Sequence, residues 1–197
     1  MAGTMTAGEP WDVRHIYTTA EPAFEPYLAV LGELLITSQR AGWIGELRDC
    51  PVDEPAGIFP ALLTSALGEL VIVDFHGWVV EDGPWLGSTT AAGVLLRDLP
   101  ANSWSASIIF LTGCVGGTPE FAAHLDRVLT HRTSIVSHFG ETGMRDNTPI
   151  DLVNAVLGEA AGGDVGDAFN AVDRALYNRS YRRDQAWMVA QRGPGLR

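Results

Sequence analysis

The chain contains no lysine: all thirteen of its basic residues are arginine. That absence excludes every chemistry built on a side-chain primary amine. There is no Schiff-base lysine, no pyridoxal-phosphate lysine and no P-loop lysine. A hydrolase using an Asp-Lys-Cys triad is excluded with them. Cysteine is scarce as well. Cys50 and Cys114 are the only two, too few for a disulfide scaffold. The five histidines and two cysteines show none of the close pairing that zinc sites use, so no metal is expected. Positive charge is in short supply: 13 basic residues face 24 acidic ones, for a net charge of −11. A phosphate-backbone binder needs the reverse balance, so no nucleic-acid partner is expected. Arg179, Arg182 and Arg183 form a local exception that reads as a solvated face. Long apolar runs are missing too, and the opening MAGTMTAGEP has no basic region leading into an apolar stretch. Neither a membrane partner nor a signal peptide is expected, and the cytoplasm is the default location.

What is present is a hydrophobic fraction of 46% in 197 residues, enough for one domain with a sizeable core. The expected layout is a flexible N-terminus over residues 1–12 and a single domain over 13–197. Strand-like and helix-like segments alternate. Val13–Thr18 reads as a short strand. Phe24, Leu28, Leu31 and Leu35 recur at helical spacing between Pro22 and Gln39, with Pro26 confined to the first turn. Trp43–Leu47 is a weak strand, and Ile58, Leu62, Leu63 and Ala66 mark a second helix. Val71–Phe75 and Ile108–Leu111 are strong strands. Thr118-Pro119 predicts a helix start, with Phe121, Leu125, Val128 and Leu129 as its apolar face. A strand at Ser134–Phe139 follows, then helices opening at Thr148-Pro149 and at Asp164, and a closing strand at Ala186–Ala190. The stretch Glu81–Ser107 shows no helix and is expected to hold a hairpin or loop. Such alternation, with nearly all-apolar strands, predicts an α/β fold: a mostly parallel central sheet with helices on both faces.

Two segments carry the chemistry. VIVDFHGWVV delivers His76 before Gly77, and IIFLTGCVGG delivers Cys114 after Gly113. Sheets of this kind bind ligands beyond the carboxyl ends of their strands. If the two strands are neighbours, a thiol and an imidazole meet there, which is the minimum for nucleophilic cysteine catalysis. Cys114 is then the nucleophile and His76 the base or proton donor. The amides of Gly77 and Cys114 can hold the developing oxyanion, because glycine lets a substrate carbonyl come close. Asp74, two residues before His76, either lines the site or is a buried hydrogen-bonded aspartate. His138, at the end of the next strand, can border the groove, and Glu141, Arg145 and Asp146 in the loop after it can contribute to a specificity pocket. Cys50 sits in a loop-like stretch without such context. His15, His124 and His131 read as ordinary polar residues. Trp78, Trp85 and Trp104 read as core or rim.

These residues resemble the caspase-like cysteine peptidases of clan CD, and among them the bacterial CHAT family. That family carries His-Gly at the end of one strand and a small residue before Cys at the end of the next, here His76-Gly77 and Gly113-Cys114. DEPAGIFPALLTSALGELVIVDFHG looks like the helix and strand leading to the family histidine. GDVGDAFNAVDRALY is similar to its late helix and AWMVAQRGP to its closing strand, so the likeness spans most of Val13 to Pro194. Thr112-Gly113 stands where Ser-Ala is more frequent, and the acidic Asp74 is unusual in the histidine strand. The resemblance implies a three-layer caspase-like domain and a Cys–His dyad that cleaves peptide bonds after a chosen side chain. It implies no metal or organic cofactor, and a setting in bacterial defence or cell death. Many members carry separate recognition modules, for which this chain leaves no room; a regulatory protein partner is therefore expected beside the protein or peptide substrate. The competing reading is a non-catalytic caspase-like module that binds a partner and only retains the dyad.

Overall fold

Six consecutive residues of the strand Glu69–Asp74 are buried, as are all four of Ile108–Leu111. A strand with no solvent-facing side must be covered above and below, and these two form the centre of the sheet. In the computed structural model the described residues are 10–53, 60–61, 69–88, 93–113, 118–130, 133–138, 148–159, 165–178 and 187–190. The strands are β1 (Trp11–Thr18), β2 (Ile44–Val52), β3 (Glu69–Asp74), β4 (His76–Val80), β5 (Gly83–Gly87), β6 (Gly93–Leu95), β7 (Ile108–Leu111), β8 (Ser134–His138) and β9 (Trp187–Ala190). The helices are α1 (Glu25–Arg40), α2 (Pro119–Val128), α3 (Thr148–Glu159) and α4 (Val165–Asn178).

The main sheet has six strands in the order β2-β1-β3-β7-β8-β9. The first five run parallel, and β9 closes the edge antiparallel to β8. Side chains alternate between its faces. Leu70, Ile72, Ile108 and Phe110 belong to a core shared with Leu31 and Leu35 of α1, Val153 and Leu157 of α3, and Phe169 and Val172 of α4. Val71, Val73, Ile109 and Leu111 face the other way, onto Phe121, Leu125 and Val128 of α2 and onto Leu86 and Val94 of the small sheet. Helices therefore cover both faces, as the alternating pattern predicts. Each fully buried aliphatic or aromatic side chain contributes about 1.5–3 kcal/mol relative to its exposed state.

Several boundaries differ from the sequence reading. β1 starts at Trp11, whose ring is buried, so ordered structure begins before residue 13. The weak strand is the longer β2, which runs through Pro51 along an edge where a missing N–H is tolerated. Cys50 accordingly lies in a strand, not a loop. Thr118 precedes α2 in extended conformation with Pro119 at its first position, but its hydroxyl does not cap the helix. Of the second helix, only residues 60–61 are described. The segment after Asp74 departs most. It forms a separate antiparallel sheet, β4-β5-β6, and His76 is its first residue. A two-residue turn joins β4 to β5, with Gly83 at φ 116°. The expected hairpin is thus real, but it begins five residues earlier, at His76 instead of Glu81.

Candidate active site

β3 and β7 are direct neighbours, paired in parallel from Leu70–Ile108 to Val73–Leu111. One more hydrogen bond, from the Thr112 amide to the Val73 carbonyl at 3.1 Å, extends the pairing past the formal end of β7. Gly113 follows, and its backbone lies directly against the β3–β4 junction. A Cβ built on Gly113 would be 2.6 Å from the Phe75 carbonyl oxygen and 3.2 Å from the Gly77 nitrogen. Real Cβ atoms do not approach backbone this closely, so only glycine keeps the two chain segments at this separation. Cys114 itself lies outside the described residues. It is the residue bonded to Gly113, and consecutive Cα atoms are about 3.8 Å apart.

His76 is delivered to the same end of the sheet. Its imidazole is half-buried between aromatic rings: Phe24 at 4.7 Å between ring centroids and Trp78 at 4.7 Å. Trp78 in turn packs against Trp85, with ring centroids 4.6 Å apart and planes tilted by 50°. Trp85 lies over Gly93, where any Cβ would overlap the indole. The ring is therefore held by a column of aromatics belonging to the small sheet and to the 3₁₀ turn Pro22–Phe24. Its Nε2 faces the Glu21 carboxylate at 3.7 Å. Burial lowers the His76 pKa below its ordinary value, and the Glu21 charge partly offsets that shift. The imidazole is neutral at pH 7 and holds a lone pair able to accept a proton.

Asp74 does not serve His76. The period-two rule that would place them on one face ends at Phe75, where the chain leaves the main sheet. Asp74 stays on the α1 side, 1% exposed, and its carboxylate joins three elements. His15 of β1 donates from Nε2 to Oδ2 at 2.6 Å. Tyr27 of α1 donates its hydroxyl to Oδ1 at 3.1 Å, and the Thr112 hydroxyl also donates to Oδ1. Asp74 is thus a buried, hydrogen-bonded aspartate, as one of its two readings expects. His15 is likewise more than an ordinary polar residue: it is buried, and its Nδ1 lies 3.7 Å from the exposed Asp49. The network sits under the residues that lead into Cys114.

The sequence reading missed Glu21, Phe24 and the His15–Asp74 pair. Glu21 and Phe24 come from a connection distant in sequence, and no local pattern marks them. For His15, an alternating strand with a polar residue on its buried face is the available signal. Gly77 is buried, and its nitrogen lies beside Gly113. The side chain of His138, at the end of β8, and the residues Glu141, Arg145, Asp146 and His131 lie outside the described residues. His124 is on α2, its Nδ1 2.9 Å from the Glu120 carbonyl. Trp85 and Trp104 are buried and Trp78 half-buried. Cys50 is half-buried, and desolvation pushes its thiol above the ordinary value. Among the described residues no group of three or more His, Cys, Asp or Glu side chains could hold a metal ion, and no helix is long and apolar enough to cross a membrane. No model of a known protein family matches the chain, and no curated protein matches it significantly.

Two substitutions separate the parts of this site. Gly113→Ala forces the β3–β4 junction away from the end of β7 and is expected to cost about 1–3 kcal/mol, as overpacking does. Asp74→Asn leaves one acceptor oxygen for three donors and is expected to cost a similar amount, about 1–3 kcal/mol. Urea unfolding of each purified variant measures both. A loss below roughly 0.5 kcal/mol, the scale of ordinary surface substitutions, would contradict the packing and the network respectively.

Proposed function

We propose that this protein is a cysteine endopeptidase of the caspase-like type, with Cys114 as nucleophile and His76 as base. One observation carries the reading: Gly113, the residue bonded to Cys114, packs against the Phe75–Gly77 backbone that bears the imidazole. The sheet supports it. The adjacent parallel strands β3 and β7 end at Asp74 and Leu111, and the chain beyond them leads to His76-Gly77 and to Gly113-Cys114, the order of motifs in the CHAT family. The neutral, half-buried state of His76 supports it further, because a base must be unprotonated to take a proton.

The chemistry follows from these groups. The thiol proton of Cys114 passes to His76, and the sulfur attacks the carbonyl carbon of the peptide. The negative charge on the carbonyl oxygen is met by the amides of Gly77 and Cys114. His76 then gives its proton to the departing amine nitrogen, and the C–N bond breaks, leaving a thioester. A water molecule, deprotonated by His76, attacks that thioester and releases the acid and the free thiol. Nothing in this cycle calls on a metal or an organic cofactor. We further propose a cytoplasmic location and control by a protein partner, consistent with the defence systems in which the CHAT family occurs.

Cleavage of a mixed peptide library, by the chain alone and with candidate partner proteins, tests the proposal. Cys114→Ala is expected to abolish cleavage, and His76→Ala to lower it by roughly 10²–10⁴-fold. The activity of the intact protein is expected to fall on the acid side as pH drops through the lowered His76 pKa, below the ordinary histidine value of 6.5. Above that point the base is neutral and the rate is retained. Full activity in Cys114→Ala, or an acid limb above 6.5, would refute the assignment.

A further inference from the structure

Resting on the peptidase reading for its consequence, we propose that Glu21 is a positioning residue for His76: its carboxylate holds the proton of the neutral ring on Nε2 and leaves the lone pair on Nδ1. Among the described residues three contacts surround the imidazole. Phe24 and Trp78 limit it through their rings, each 4.7 Å away between centroids. Glu21 supplies the remaining constraint, at the Nε2 edge, 3.7 Å away. Glu21 and Phe24 are parts of one local device. The Phe24 amide donates to the Glu21 carbonyl at 3.0 Å, closing the turn that begins at Pro22. That turn brings a carboxylate and an aromatic ring to the same histidine.

The chemistry of the contact is directional. An ionised carboxylate only accepts, and its negative charge 3.7 Å away favours the tautomer whose N–H points toward it. The other nitrogen, Nδ1, is then the base. When the proton leaves Cys114 it goes to Nδ1, and the resulting imidazolium stands opposite the Glu21 charge. It leaves Nδ1 again for the amine nitrogen of the departing peptide. At 3.7 Å the contact is an ion-pair distance and too long for a hydrogen bond; such contacts tighten when the charge forms. The two side chains are 17% and 24% exposed, so the pair is better shielded than one at an open surface. Among the described residues, Glu21 is the charged group in ion-pair contact with His76 from any element packed against it; Phe24 on the turn and Trp78 on β4 are uncharged. The carboxylate raises the proton affinity of the ring against the lowering by burial, in keeping with this role.

Nitrogen-15 NMR of the imidazole in the full chain tests the proposal without requiring activity, with His76→Ala identifying the signal. In the intact protein the neutral ring is expected to carry its proton on Nε2. Glu21→Gln keeps an acceptor and is expected to retain that tautomer while moving the titration midpoint to lower pH. Glu21→Ala is expected to lose the tautomer preference as well. A proton on Nδ1 in the intact protein, or an unchanged midpoint in Glu21→Gln, overturns the proposal; a purely structural Glu21 would lower thermal stability without moving either. The same spectra recorded on Cys114→Ala decide the role of Glu21 even if no peptidase activity exists. Failure of the peptidase reading shows separately, as cleavage that survives the loss of Cys114.

Discussion

Just past the ends of the two central strands two pieces of backbone touch with no side chain between them. Gly113 follows β7 so close to the β3–β4 junction that an added methyl group would overlap the Phe75 carbonyl and crowd the Gly77 nitrogen. Everything proposed for the site depends on that contact. It joins the end of the central strand to the small antiparallel sheet and fixes the separation between the imidazole-bearing turn and the residue before the cysteine. The hydrogen bond from Thr112 to Val73 continues the β3–β7 ladder up to the same point. The register of two buried strands is thus carried directly into the geometry of the site, with no flexible side chain intervening.

Two histidine–carboxylate pairs at this end of the sheet, His15–Asp74 and His76–Glu21, are built in opposite ways. His15 and Asp74 are both nearly inaccessible and meet at 2.6 Å, and Asp74 also accepts from Tyr27 and Thr112. A buried carboxylate with all its partners in place is rigid, and losing any partner is costly. This pair braces β1, α1 and the exit of β7. His76 and Glu21 are partly exposed and 3.7 Å apart, and the imidazole lies between aromatic rings. A looser, half-solvated pair of this kind can exchange protons with a third group. In the proposed site the first arrangement is the floor and the second the working face.

The central strands were legible because burial on both faces leaves no room for polar residues: Ile108–Leu111 has the same bounds in sequence and structure, and β3 differs by a residue or two. The amphipathic face of α2 was legible for the related reason that Phe121, Leu125 and Val128 recur at helical period. What escaped is what depends on distant chain. The break at Phe75 turns one apolar run into two strands of two sheets, and it is set by the β4–β5 hairpin, not by the run itself. That break also undid the inference that Asp74 and His76 share a face. Glu21 reaches His76, and His15 reaches Asp74, across more than fifty residues of sequence, and neither approach leaves a local signature. Cys50, beside Pro51, resembled a loop because proline argues against a central strand, whereas an edge strand admits it.

Catalysis at this site requires that His76 activate Cys114, and the rate of alkylation at each cysteine measures that directly. Treat the intact protein and His76→Ala with limiting iodoacetamide at pH 7, and follow adducts at Cys114 and Cys50 by mass spectrometry over time. In the intact protein Cys114 is predicted to react first, because a neighbouring imidazole favours the thiolate, while burial holds the Cys50 thiol protonated. In His76→Ala the Cys114 rate is predicted to fall toward that of Cys50, with the Cys50 rate unchanged. Faster modification of Cys50 in the intact protein, or a Cys114 rate indifferent to the loss of His76, would contradict a Cys114–His76 dyad.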